Sequence, residues 1–163
     1  EKCAMAVDLG CGTGNMLDAL LRKSGKVIGV DGSASMLELA RRRFLEEPER
    51  VSLRIGDLEH LPLRDEEADF VCINLVLHHL SSPQNVLQEA RRVLKPGGVL
   101  VLSDFEKHAD ESLRSDYGDR WLGFEPETVN GFLNESGLRL DSSEGYPVKK
   151  DLKVHVYRAI NQQ

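Results

Sequence analysis

Three glycines at alternate positions, Gly10, Gly12 and Gly14, interrupt the sequence between an apolar stretch at residues 4–9 and a segment at 15–23 whose Met16, Leu17, Leu20 and Leu21 recur at helical spacing. Gly25 follows that segment, and residues 26–30 are apolar again. The order predicts strand, glycine loop, helix and strand, with Gly25 ending the helix, which is a βαβ unit. Parallel strands cannot be joined by a tight turn, so this opening commits the chain to a crossover helix and to a sheet that helices cover.

The alternation continues. Ser33 is placed to cap a helix whose Met36, Leu37, Ala40 and Phe44 share one face, and Pro48 stops the pattern. Residues 51–55 and 70–75 read as strands, separated by a loop with Leu61-Pro62-Leu63 and an acidic run at 65–69. Val86, Leu87, Ala90, Val93 and Leu94 mark a helix over 83–94, closed by Lys95-Pro96-Gly97-Gly98, and 99–103 is the fifth strand. Beyond Asp104 the chain is highly charged as far as Arg120, then reaches Trp121-Leu122-Gly123-Phe124. Pro126 starts a last helix that Gly137 ends. Residues 138–145 and 152–160 then predict an antiparallel hairpin at the sheet edge, turning around Pro147. The expectation is one α/β domain over residues 1–163. A chain of 163 residues buries about two-thirds of its unfolded surface and needs no staples.

The 21 basic and 27 acidic residues leave a net charge of −6, which disfavours a nucleic-acid partner held by phosphate charge. Three cysteines, Cys3, Cys11 and Cys72, form no CxxC pair, so neither a disulfide framework nor a metal site is expected, and the cytoplasm is the default location. No apolar run reaches the roughly 18 residues of a membrane-spanning helix.

In an open α/β sheet, ligands gather beyond the carboxyl ends of the strands. There the sequence places Asp8 and the glycine loop, then Asp31, then Gly56-Asp57-Leu58, then residues 74–79, and last Asp104. Alternate glycines allow a tight turn and close approach to a ligand, and Asp31, 17 residues beyond Gly14, can accept both hydroxyls of a ribose. Together they indicate a nucleoside-bearing cofactor. A dinucleotide would bring its pyrophosphate to the helix N-terminus, yet Asp8 and Asp57 add negative charge around that point. The acidic pocket suits a cation, and S-adenosylmethionine carries a sulfonium and an ammonium.

Residues 7–14 (VDLGCGTG) and 29–37 (GVDGSASML), with Gly56-Asp57, Asp69-Phe70-Val71 and Leu94-Lys95-Pro96-Gly97-Gly98, resemble class I S-adenosylmethionine-dependent methyltransferases. Within them the pattern is similar to the small-molecule branch that includes the ubiquinone and menaquinone biosynthesis enzymes. The resemblance implies a Rossmann-like, doubly wound seven-stranded sheet of order 3-2-1-4-5-7-6 with strand 7 antiparallel. It also implies that Asp8 and the backbone of Gly10, Gly12 and Gly14 hold the methionine moiety, Asp31 grips the ribose, and Asp57 with the Leu58 backbone reads the adenine. Asn74 would face the amino-acid portion, with Cys11, Gly32 and Gly56 completing the cofactor set. Met36 fits either an apolar contact near the adenosine or the core stripe of its helix. The cysteines Cys11 and Cys72 read as small buried fillers. Family members usually carry helices ahead of the first strand, so a trimmed domain or an open cofactor site is expected.

Amide and exocyclic amine methyltransferases of the family often show Asp or Asn, Pro-Pro and an aromatic after the fourth strand. Here the run is Asn74-Leu75-Val76-Leu77-His78-His79-Leu80, which points away from those substrates and toward a small-molecule acceptor at oxygen or carbon. Candidate bases are His79 and Asp104, with His78 and His108 behind them. The charged segment could form a lid, with Tyr117, Trp121 and Phe124 lining an apolar pocket. That region also resembles methyltransferase domains fused behind a winged-helix domain, so the alternative expectation is a non-catalytic, cofactor-binding regulatory module of a larger DNA-binding protein.

Overall fold

The computed structural model describes residues 3–149 and 151–162. Seven strands form one sheet: β1 (Cys3–Leu9), β2 (Ser24–Asp31), β3 (Val51–Ile55), β4 (Ala68–Asn74), β5 (Leu94–Phe105), β6 (Leu138–Lys149) and β7 (Leu152–Asn161). Their order is β3-β2-β1-β4-β5-β7-β6, and β7 runs antiparallel to both its neighbours. The expected seven-stranded sheet, with its reversed seventh strand, is therefore observed.

Alternation along the strands divides the core. Val7, Ile28, Val71 and Ile73 face helices α3 (Pro83–Val93) and α5 (Pro126–Glu135), where Val86, Leu87, Ala90 and Leu133 have no solvent exposure. Ala6, Val27 and Cys72 face α1 (Asn15–Leu21) and α2 (Ala34–Arg43), packing with Cys11, Leu17, Leu37 and Phe44. Cys11 and Cys72 are thus fillers, as expected, and burial pushes both thiols up to about 12.

Three local expectations change. Helix α1 ends at Leu21, and Gly25 lies inside β2, where a Cβ would stand 3.1 Å from the Ala4 carbonyl oxygen. Residues 95–98 belong to the start of β5 and form an irregularity: Leu94 pairs with Ala68, but Val99 pairs with Phe70. Gly97 takes φ +75° to make that step. The hairpin is longer than expected. Pro147 sits within β6, opposite Lys153, and the chain reverses beyond Lys149 through Asp151 at φ +60°. An outermost strand tolerates proline because it has ladder positions that need no N–H.

Candidate active site

The glycine loop is held from behind. Gly10 and Cys11 donate their N–H groups to the Val30 carbonyl at 2.8 and 3.1 Å, and Gly14 donates to the Cys11 carbonyl at 2.8 Å. Gly10 has φ +80°, and a Cβ there would meet Val76 Cγ2 at 2.6 Å, so both conformation and space require glycine. Gly12 has φ +51°, and a Cβ there would meet nothing within 4 Å, which leaves its face open to a ligand.

Asp31 organises this loop. Its Oδ2 accepts the Gly12 N–H and its Oδ1 accepts the Ser33 N–H, each at 2.8 Å, leaving further lone pairs on both oxygens for a diol. A cavity of about 300 Å³ opens in front of the loop, lined by Asp8, Gly10, Cys11, Gly12, Met36 and Asn74 among others. Asp8 is 2% exposed, and among the described residues no side chain or N–H donates to it. Burial first, and the Asp31 charge second, push its carboxyl up to about 7. A buried acid without a donor, bordering a cavity, fits a cationic ligand such as the sulfonium and ammonium of S-adenosylmethionine.

Met36 is exposed at the cavity wall, while Leu37 and Ala40 fill the core, so the helix stripe passes it by. Asp31 and the remaining expected cofactor residues lie outside the lining. Gly14 is the N-cap of α1, where a Cβ would strike the Phe44 ring at 2.7 Å. Gly32 and Gly56 stand next to each other beyond β2 and β3, with the Gly56 oxygen 3.7 Å from a Gly32 Cβ. Asp57 is exposed, and the Glu59 N–H followed by His60 holds its carboxyl below the usual range. The Leu58 side chain is buried in the core.

A second cavity, of about 500 Å³, lies beyond the ends of β4 and β5. Its wall includes Leu75, His78, His79, Phe105, Tyr117 and Asp119. Leu75 follows Asn74 directly and takes φ +56°, a conformation that costs a bulky residue about 1–3 kcal/mol. After it, a 3₁₀ turn over Leu77–His79 carries the two histidines. His78 is buried, with Nδ1 2.7 Å from Asp104 Oδ1. Asp104 also accepts the N–H groups of His78 and Phe105, at 3.2 and 2.7 Å. Asp104 is thus enclosed and does not line the cavity, and any influence it has passes through His78.

Asp119, which the sequence does not single out, faces both rings. It is buried, 3.7 Å from His78 Nε2 and 3.5 Å from His79 Nδ1. The His78 carbonyl accepts the N–H groups of Arg120 and Trp121 at 2.9 and 3.1 Å, and Trp121 Nε1 donates to the Leu80 carbonyl at 2.9 Å. These bonds pin the end of the charged segment to the 3₁₀ turn. The segment contributes Tyr117 to the cavity through the short helix α4 (Ser112–Tyr117), whereas Trp121 packs on Phe124 and neither lines the cavity. His108 packs edge-on against Phe105, outside the lining. A carboxylate within a run of charged residues is the only signal for Asp119, and many residues of the segment share it.

Comparison with known proteins adds the family. The methyltransferase domain family matches residues 7–102. The chain is 44% identical, over 117 residues, to an uncharacterized 37.1 kDa protein in transposon Tn4556 of Streptomyces fradiae, covering 70% of this chain and 33% of that one. It is 35% identical, over 136 residues, to a demethylmenaquinone methyltransferase of Symbiobacterium thermophilum, covering 80% of this chain and 54% of the relative. It spans between a third and about half of these relatives' lengths. Among solved structures, the YcgJ protein of Bacillus subtilis superposes with a TM-score of 0.84 at 19% identity, over 100% of this chain and 94% of that one. This last likeness speaks for the fold alone.

Proposed function

This chain belongs to the methyltransferase domain family, with S-adenosylmethionine as its cofactor, and from that premise we propose that it methylates an oxygen or carbon of a small organic acceptor bound in the cavity beside His79. The observation that carries the proposal is the junction of the two cavities: Asn74 borders the one in front of the glycine loop, and Leu75, the next residue, borders the other. When bound, S-adenosylmethionine supplies an electrophilic methyl group whose departure leaves a neutral thioether, so no acid is needed.

The work left to the protein is alignment, worth several kcal/mol when reacting groups are held in line. Asp8, the loop around Gly10 and Gly12, and Asp31 would hold the donor, with Met36 against the adenosine and Gly32, Gly56, Asp57 and Leu58 around the base. His79 is half-exposed on the cavity wall and would accept a proton from a hydroxyl acceptor or orient it. Asp104 would position the turn through His78. The Pro-Pro-aromatic clamp for planar amines is absent after β4, which supports oxygen or carbon as the nucleophile. The demethylmenaquinone methyltransferase relative supports the same class. The acidic net charge supports a domain that does not itself bind nucleic acid. No helix among the described residues is long and apolar enough to cross a membrane, and a cytoplasmic site of action is proposed with the rest.

The test is time-dependent formation of S-adenosylhomocysteine with a panel of phenolic, enolic and carboxylic acceptors. Turnover with at least one is expected. Calorimetric binding of S-adenosylmethionine without turnover on any acceptor would instead favour a non-catalytic binding module.

A further inference from the structure

We propose that His78, His79 and Asp119 form a binding site for a divalent transition-metal ion at the inner wall of the larger cavity. His78 Nε2 and His79 Nδ1 lie 3.7 and 3.5 Å from Asp119 Oδ1, too far for good hydrogen bonds. Donors bound tetrahedrally to zinc at about 2.0–2.1 Å stand about 3.3 Å apart. The three ligand atoms all lie within 4.8 Å of one another, so small side-chain adjustments bring them onto one ion.

Burial supplies the second reason. The Asp119 side chain is only 3% exposed, and among the described residues no N–H or O–H donates to it. A carboxylate almost wholly buried, with no donor and facing a cavity, favours a cation there. The third reason is the arrangement behind the ligands. His78 Nδ1 is 2.7 Å from the enclosed Asp104, which orients the ring and makes Nε2 the free donor atom toward Asp119. A carboxylate behind a ligating imidazole is the usual support of a histidine–metal bond. The backbone is fixed as well, since the His78 carbonyl holds Arg120 and Trp121, the two residues that follow Asp119.

Two imidazoles and one carboxylate suit zinc or a neighbouring borderline ion better than magnesium or calcium. Three protein ligands on one side leave the ion's remaining coordination toward the cavity, which is how catalytic metals differ from structural ones. The ligand class it would take is an oxygen donor, such as a hydroxyl or enol. There the ion would do what the His79 imidazole does without it, with the acceptor's proton released to solvent. That use rests on the function proposed above; the binding of the ion does not.

The experiment is titration of the chelator-treated chain with Zn²⁺ by calorimetry and with Co²⁺ by visible absorption. One equivalent is expected to bind, with Co²⁺ giving the intense visible bands of a four-coordinate N/O site. Asp119→Asn and His79→Ala should each weaken Zn²⁺ binding at least roughly tenfold, and Asp104→Asn by about 10- to 100-fold. His60→Ala, outside the cluster, should leave it unchanged. His79 is half-exposed, so its variant tests the proposal even where a buried substitution impairs folding. Zn²⁺ binding equal in the parent and the Asp119→Asn and His79→Ala variants, or absent from the parent, would overturn the site. S-adenosylmethionine affinity measured on the same samples separates the two readings. Its loss in the parent would fall on the proposed function, and its retention beside absent Zn²⁺ binding would fall on the metal site alone.

Discussion

Asp8 makes the loop a pH-sensitive device. An acid whose folded pKa lies near 7 holds its proton in the native chain while the unfolded chain has already lost it. Stability therefore falls as pH rises from the unfolded carboxylate range toward about 7, by up to roughly 4 kcal/mol for a shift of this size. Asp8→Asn removes the penalty, so chemical denaturation should show the variant more stable than the parent at about pH 8 and closer to it at about pH 5. Cofactor affinity should move the opposite way. A cationic ligand needs the carboxylate, so parent affinity should rise from about pH 6 to 8, and the Asn variant should bind weakly with a flat profile. Asp31→Ala removes the two carboxylate oxygens proposed to hold a ribose and their ties to Gly12 and Ser33. It should cost at least about 1.5–3 kcal/mol of affinity by calorimetry, roughly 10- to 100-fold, and unchanged affinity would remove the ribose role. Asp31 is legible in the sequence because a strand end, a spacing and a glycine loop converge on it. Asp119 is not, since only the folded chain brings it to His78 and His79 from about 40 residues away.

Elements held together by close contact invite a different test. Gly10→Ala would place a methyl against Val76 and force φ +80° on an L-residue. Val76→Ala should recover the steric part and leave a backbone penalty of about 1 kcal/mol, read as a double-mutant cycle of melting curves. At the other end of the sheet, Arg92 holds the loop after β3: its guanidinium bonds the Leu63 carbonyl at 2.9 Å and Glu89, while Glu89 accepts the Leu61 N–H at 2.7 Å. Arg92→Ala should lower the melting temperature by several degrees, about 1–2 kcal/mol, with cofactor affinity retained. Periodicity reveals each helix and strand that meets such contacts. It cannot reveal the contacts themselves, or that 95–98 continue into β5, because a proline and two glycines read as a helix stop whichever structure follows.

At the scale of the whole molecule, the strand directions follow from a few local decisions. The parallel strands β1 to β5 are joined by crossovers, and the final hairpin turns back because its two strands are separated by too few residues for one. The strand directions are legible for that reason, the order only through the resemblance to the family, and the length of the hairpin is not, since Pro147 looks like a turn in any strand except an outermost one. The two cavities are less visible in sequence but more consequential. Asn74 and Ser103 share a hydrogen bond across β4 and β5, and their successors Leu75 and Asp104 belong to the histidine side. A wall one peptide thick would make the proposed donor and acceptor sites members of a single linked equilibrium. Whatever factor a ligand in one cavity applies to affinity in the other must be returned unchanged. Titrating S-adenosylmethionine with and without an acceptor analogue, and the analogue with and without S-adenosylmethionine, should give one coupling constant greater than unity. Leu75→Gly relieves the positive-φ backbone at this wall and should bring that constant toward one while each ligand still binds.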